Sequence, residues 1–285
     1  MNVAIVTDSN SGIFEEEGQK LGVQVVPMPV VIDGKVYYEG ADLTSEEFYQ
    51  CLLEHREVSS SQPSPGDVTA VWDRLLDSGY DEIVYIPMSG GLSGSCQMAR
   101  MLAEDYKGKV QVADNRRISV TQRQSVQDAL MLREKGHSAR EIKEILEKYA
   151  YESIIYVGVE TLEYLKKGGR VTPAGAAMGT LLNIKPLLLI KGERLDACAK
   201  VRGTRNCQKR LLAEMKRSAE ELRKKGTGIY IGAAGSFVGE EQREWVKMVR
   251  ESFPGEEVRY DPLTCSIGCH VGPGAFGMGI SRKTG

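Results

Sequence analysis

Glu82-Ile83-Val84-Tyr85-Ile86-Pro87-Met88-Ser89-Gly90-Gly91-Leu92-Ser93-Gly94-Ser95-Cys96 is the stretch that decides the fold. Residues 82–88 read as a short strand, 89–95 as a glycine and serine turn, and 96–106 as a helix. A strand that turns directly into a helix is the opening of a parallel β-α unit. The same grammar recurs on both sides. Residues 3–6 form a β-branched run that ends in the polar cluster Thr7-Asp8-Ser9-Asn10-Ser11-Gly12. Residues 23–32 are a second apolar run, punctuated by Pro27 and Pro29. Thr44 reads as a helix N-cap, with Glu47 completing a capping box. Residues 59–66 read as a loop before a helix over 67–76. Residues 110–113 predict a strand, 119–135 a long helix, and His137-Ser138-Ala139-Arg140-Glu141 the start of one more, ending near Tyr151.

This alternation predicts an α/β fold with two domains. The expected N-terminal domain, residues 1–151, is a parallel sheet with helices on its faces. The expected C-terminal α/β domain, residues 152–285, holds a strand over 153–159 and an apolar segment over 181–190. A charged helix over about 204–225, a strand over 228–233 and a helix near 240–252 follow. A glycine-rich end covers 268–279.

Composition narrows the function classes. A chain of 285 residues is long enough to bury a sizeable core. Its 37 Lys plus Arg against 39 Asp plus Glu leave a net charge of −2, without the basic excess of most nucleic-acid binders. With 41% hydrophobic and 27% charged residues, it falls in the ordinary globular class rather than the disordered one. Asp8 interrupts the first apolar run too early for a secretory signal. Asn183 and Lys185 break the longest apolar segment, so no transmembrane helix is expected. A cytoplasmic location is the expectation. The six cysteines then read as reduced thiols rather than a disulfide framework. Cys265 and Cys269 lack a second ligand pair, so no metal site is expected.

Several constellations can carry chemistry, and each has a plain structural reading beside it. The turn Ser89-Gly90-Gly91-Leu92-Ser93-Gly94-Ser95 precedes a helix, whose free N–H groups favour an anion. It is a carboxylate or phosphate cradle, or a simple β-α turn with serine caps. Gly91-Leu92-Ser93-Gly94-Ser95 nearly matches a nucleophile elbow, and His270 would complete a serine-hydrolase order. Ser59-Ser60-Ser61-Gln62-Pro63-Ser64-Pro65 offers the Ser61 hydroxyl to an anion, or serves as turn and cap. Gly168-Gly169-Arg170 reads as a glycine helix stop, with Arg170 facing a ligand or a core acid. Lys200-Val201-Arg202-Gly203-Thr204-Arg205 places Arg202 at a helix entrance, for an anionic partner or for solvent. His270 precedes Val271-Gly272-Pro273-Gly274, which sets it apart from His55 and His137. Neither a phosphate-binding G-x4-G-K-[ST] loop nor a dinucleotide G-x-G-x-x-G follows the first strand.

Taken together, Thr7-Asp8-Ser9, Ser61-Gln62-Pro63-Ser64, Gly91-Leu92-Ser93-Gly94-Ser95, Leu165-Lys166-Lys167-Gly168-Gly169-Arg170 and His270-Val271-Gly272-Pro273-Gly274-Ala275 occur in an order that resembles the DegV family. The resemblance runs over about residues 3–280. Leu182-Asn183-Ile184-Lys185-Pro186 and Val201-Arg202-Gly203 extend it. Asn115 departs from it, since the family commonly has Asp-Ser at positions 114–115.

The resemblance implies a two-domain DegV-like fold with one long-chain fatty acid, such as palmitate, stearate or oleate, held between the domains. It implies a binding subunit, not catalytic alone, that presents the acyl carboxylate to a separate ATP-dependent subunit of a bacterial fatty acid kinase for acyl phosphate formation. Carried over, Ser61 and Ser93 hydrogen-bond the carboxylate, with the N–H of Gly94, and His270 lies near it. Family members often have Thr at the Ser61 position. Arg202 engages the kinase subunit, and Arg170 is carried over as proximal to the site only. No cofactor and no nucleic acid are implied. The alternatives are a serine hydrolase using Ser93 and His270, and a lipid-responsive regulatory module without a kinase. The expected tunnel walls are Ala174-Gly175-Ala176-Ala177-Met178-Gly179 and residues 187–190, unless these are ordinary core.

Overall fold

Strands β1 (Val3–Asp8), β2 (Val23–Val26), β3 (Pro29–Ile32), β4 (Lys35–Tyr38), β5 (Val58–Ser60), β6 (Glu82–Ile86) and β7 (Val110–Val112) come first in the chain. Four of them build a parallel sheet of order β2-β1-β6-β7, as the β-α grammar predicts. Every β1 residue is buried, as a strand covered on both faces requires. One face packs on the helices Val120–Glu134 and Ala139–Lys148 through residues such as Ile5, Val84, Val126 and Ile142. The other packs on Pro65–Asp77 and Ser95–Ala103 through Val6, Trp72, Tyr85 and Ala99. The structure is a computed structural model that describes residues 2–178, 183–226, 228–236 and 239–284.

The later strands are β8 (Ser153–Gly158), β9 (Ile184–Ile190), β10 (Asp196–Arg202), β11 (Ile229–Gly235), β12 (Val258–Pro262) and β13 (Phe276–Arg282). They form a mixed sheet of order β10-β9-β8-β13-β11-β12, antiparallel except for β11 with β12. The helices Thr204–Lys224 and Gly239–Ser252 cover one face, with Trp245 fully buried against Phe276. Mixed α/β is therefore the fold class, with a parallel sheet at the N-terminus and a second sheet after it.

One local reading is corrected, and two other stretches gain a definite structure. Residues 23–32 are two strands in different sheets, because Pro27 interrupts the run and β3 pairs antiparallel with β4 and β5. Residues 59–66 are not all loop: Val58–Ser60 is a strand whose ladder to β3 overrides the weak strand propensity of serine. The glycine-rich end is mostly regular, with the helix Cys265–Val271 and the interior strand β13. Gly279 is there for close approach: an added Cβ would lie 2.6 Å from Thr121 and 2.9 Å from Val120. The capping box at Thr44 and Glu47 and the left-handed stop at Gly169 form as read. Gly179, Leu181 and Leu182 lie outside the described residues.

Candidate functional site

The Gly/Ser turn after β6 is held from three sides. The N–H groups of Leu92 and Ser93 donate to the carbonyl of Ser89 at 3.0 and 3.2 Å. Gly90 N–H donates to Asp114 at 3.1 Å, and the Ser89 hydroxyl donates to the carbonyl of Gly192 at 2.6 Å. The glycines serve this packing rather than a ligand. A Cβ on Gly90 would meet Asp114 at 2.7 Å, and one on Gly91 would meet the Gly192 carbonyl at 2.6 Å. What the turn leaves free is Ser93, whose Oγ accepts from Ser95 N–H at 3.2 Å, and the N–H of Gly94, which has no acceptor among the described residues.

Ser93 faces a cavity between the parallel sheet and the six-stranded sheet. The cavity encloses about 930 Å³ of atom-free space, part of it open to solvent. Ser61, Ser93, Arg170 and His270 all line it. Gly94 adjoins it beside Ser93, near Gln62. Arg202 does not line it. It is exposed at the end of β10, with no ion pair among the described residues.

Most of the wall is aliphatic. Met28, Met88, Leu92, Ile118 and Val120 come from the N-terminal elements, and Val157, Leu165, Ala234, Leu263 and Val271 from the rest. The expected wall over 174–178 is corrected: none of these residues lines the cavity. Pro173–Ala176 is a short helix, where a Cβ on Gly175 would press Val171 at 2.6 Å. Of residues 187–190 only Ile190 lines the cavity, because strand alternation turns Leu187 to the opposite core.

The polar end has a specific charge pattern. Arg170 is the one Lys or Arg among the described lining residues, and no Asp or Glu lines the cavity with it. Its Nε donates to the carbonyl of Leu92 at 3.2 Å and its Nη1 to that of Gly168, which ties the guanidinium to the Gly/Ser turn. His270 sits one helix away, and its Nε2 shares a hydrogen bond with the Ser60 hydroxyl at 2.8 Å. Its Nδ1 has no partner among the described residues. Burial, and then the charge of Arg170, push the ring down to about 4, so it is neutral at pH 7.

His270 is therefore expected to titrate near pH 4 in proton NMR, far below a free imidazole. A depressed histidine contributes stability above its ordinary pKa, and that contribution is lost as pH falls through about 4. A titration midpoint above 6 in the ligand-free protein would contradict this geometry.

Ser60 is a site residue that the sequence reading passed over in favour of Ser61. The Ser61 hydroxyl lines the cavity too, but donates to the neighbouring carbonyl of Gln62 at 3.2 Å. Only the register of β5 distinguishes the two, and that register is set by pairing with β3. Asn10, Ser119 and Ser266 also line the cavity, and no motif marked them as a group. The hydrolase order does not assemble as a pair, since the hydrogen-bonded serine of His270 is Ser60 and not Ser93. Among the described residues, no group of three or more His, Cys, Asp or Glu could hold a metal ion. Beneath the turn, burial raises the carboxyl of Asp8 to about 6, although the N–H groups of Met88 and Asn10 and the Gln122 amide donate to it.

Fold and site together define a class: an α/β protein built around one largely aliphatic cavity with a cationic, hydroxyl-lined end. The chain belongs to the DegV family, whose model, described as an uncharacterised DegV family protein, matches residues 2–283. It is 31% identical over 281 residues to a DegV domain-containing protein of Deinococcus radiodurans, covering 98% of each chain. Among solved structures it is similar to a fatty-acid-binding DegV family protein from Thermus thermophilus, with a TM-score of 0.88, 32% identity, and coverage of 99% and 100% of the two chains. It is also similar to a stearic-acid-binding protein from Eubacterium ventriosum, with a TM-score of 0.89, 25% identity and 99% coverage of both chains. No helix among the described residues is long and apolar enough to cross a membrane.

Proposed function

We propose that the protein binds one long-chain fatty acid, such as palmitate, stearate or oleate, in this cavity and hands its carboxylate to a separate ATP-dependent kinase subunit for acyl phosphate formation. The observation that carries the binding is the charge pattern: among the described residues, the aliphatic cavity is lined by one guanidinium, several hydroxyls and no acid. That pattern suits a long apolar molecule with a single anionic head. The fatty-acid-binding relatives from Thermus thermophilus and Eubacterium ventriosum support the same ligand class.

Energetics agree. A sixteen-carbon chain buries ~14 methylenes at about 0.8 kcal/mol each, roughly 11 kcal/mol gross. Association entropy removes several kcal/mol of this. In this reading the carboxylate sits among Ser93, the Gly94 N–H, Ser61 and His270, with Ser60 holding the imidazole and Arg170 supplying the charge. The lack of a nucleotide-phosphate loop in the sequence supports a role as binding subunit, with ATP supplied by the partner. Arg202, exposed and outside the cavity, is the partner contact in this reading.

Ser93→Ala is expected to weaken palmitate binding by about 1–3 kcal/mol, the cost of an acceptor left short of a donor. An unchanged dissociation constant by calorimetry would remove Ser93 from the carboxylate site. With a purified kinase subunit, Arg202→Ala is expected to keep palmitate affinity and lose acyl phosphate yield. An unchanged acyl phosphate yield would remove Arg202 from the partner contact.

A further inference from the structure

The cavity carries a second group of polar side chains that a plain acyl chain has no use for. Ser266 is buried to 6% exposure, lines the cavity, and has no hydrogen-bond partner for its hydroxyl among the described residues. Asn10 is fully buried and also lines the cavity. One amide N–H of Asn10 goes to the weak thioether acceptor of Met88 at 2.9 Å, and its carbonyl oxygen accepts from the Thr264 hydroxyl at 3.2 Å. The other N–H has no acceptor among the described residues. Ser119 lines the cavity at φ 54°, a backbone region that favours glycine, and its hydroxyl takes no bond either.

These three belong to one patch. Ser119 N–H donates to the carbonyl of Asn10 at 3.1 Å, and Thr264, bonded to Asn10, stands two residues before Ser266. The residues next to them in sequence that share the wall, Ile118, Val120, Leu263 and Ile267, are aliphatic. These polar groups face the cavity, so a ligand that fills it and displaces water either bonds them or leaves them costly and unpaired.

Resting on the fatty-acid reading above, we infer that the preferred ligand is a long-chain fatty acid carrying a hydroxyl on its chain, received by Ser266, Asn10 and Ser119. The helix Cys265–Val271 sets the position. Ser266 and His270 are four residues apart on one face, about 6 Å along the axis. The hydroxyl therefore belongs several carbons from the carboxylate, not at carbon 2 or near the methyl end. The amide and the two serine hydroxyls supply both donors and acceptors, which a hydroxyl uses and a double bond does not.

The test is a competition assay on the intact protein with stearate and with 3-, 6-, 9- and 12-hydroxystearate. The expected result is that 6-hydroxystearate binds about tenfold more tightly than stearate, the effect of one or two well-formed hydrogen bonds. Ser266→Ala is expected to erase that preference while leaving stearate binding within about twofold, since stearate makes no bond there. If stearate binds at least as tightly as every hydroxylated isomer, ordered water fills the patch and the inference is overturned. A preference that survives Ser266→Ala overturns it as well. Failure of both ligand types to bind overturns the fatty-acid reading itself, which separates the two failures.

Discussion

Replacing Arg123 by alanine is expected to destabilise the fold by about 3–5 kcal/mol, the usual result of removing one partner from a buried charge network. Arg123 is 4% exposed on the helix Val120–Glu134. Its guanidinium reaches Glu17 at 2.6 Å and Asp261 at 2.8 Å, and donates to the carbonyl of Gly12. Glu17 belongs to the helix Glu15–Leu21 beside β2, while Asp261 lies on β12 at the edge of the six-stranded sheet. The arginine is thus a strut between the two sheets that enclose the cavity. Arg259 can still pair both acids, at 3.2 and 2.9 Å, but from a half-exposed position.

Urea unfolding at pH 7 measures the loss. The pH dependence has a definite sign. Arg123 is the main cause that holds the Glu17 carboxyl below its ordinary range. A depressed carboxylate contributes stability above its unfolded pKa and loses it as pH falls, so the gap between wild type and Arg123→Ala narrows on acidification below about 4.5. A variant with an unchanged urea midpoint would show that the two sheets do not depend on this strut.

Arg170→Gln is expected to cost tenfold to hundredfold in fatty-acid affinity, about 1.4–2.8 kcal/mol, the range for a hydrogen bond to a charged group. No other lining residue among those described carries a permanent positive charge, so no neighbour compensates. A second readout separates charge from packing. Arg170 is the charge that lowers the His270 pKa beyond the effect of burial, so the His270 midpoint rises from about 4 in the variant without reaching the free value. Glutamine can still donate towards the Leu92 carbonyl, which keeps the Gly/Ser turn in place. Unaltered affinity with a raised His270 midpoint would place the carboxylate away from Arg170.

The sequence was most informative where local chemistry is sufficient. The β-α turn at residues 89–95, the Thr44 capping box and the Gly169 stop are each written in a few adjacent residues, and each formed. It was least informative where distant pairing decides. Val58–Ser60 is a strand only because β3 lies beside it, and that pairing is what turns Ser60 towards His270. The glycines of β13 carry no local sign of a strand, and contact with Val120 and Thr121, more than 150 residues earlier in the chain, explains Gly279. The cavity wall was misread for the same reason. A small-residue run over 174–179 suggested a tunnel wall, whereas residues 174–178 stay off the cavity and its wall is assembled from single residues of many elements. Ser61, Ser93, Arg170 and His270 could be named in advance through the family motifs, and all four line one cavity. Asn10, Ser119 and Ser266 belong to no shared motif, and only the fold brings them together.

In the reading proposed above, this cavity holds a fatty acid. The most direct test is mass spectrometry of an organic-solvent extract of the purified protein, prepared without added lipid. The expected result is a near-stoichiometric long-chain fatty acid in the extract, and its loss from the Arg170→Gln protein in proportion to the weakened affinity. An extract free of fatty acid, from protein that also takes up none when palmitate, stearate, oleate or a hydroxystearate is added, would contradict the claim while leaving the DegV fold intact.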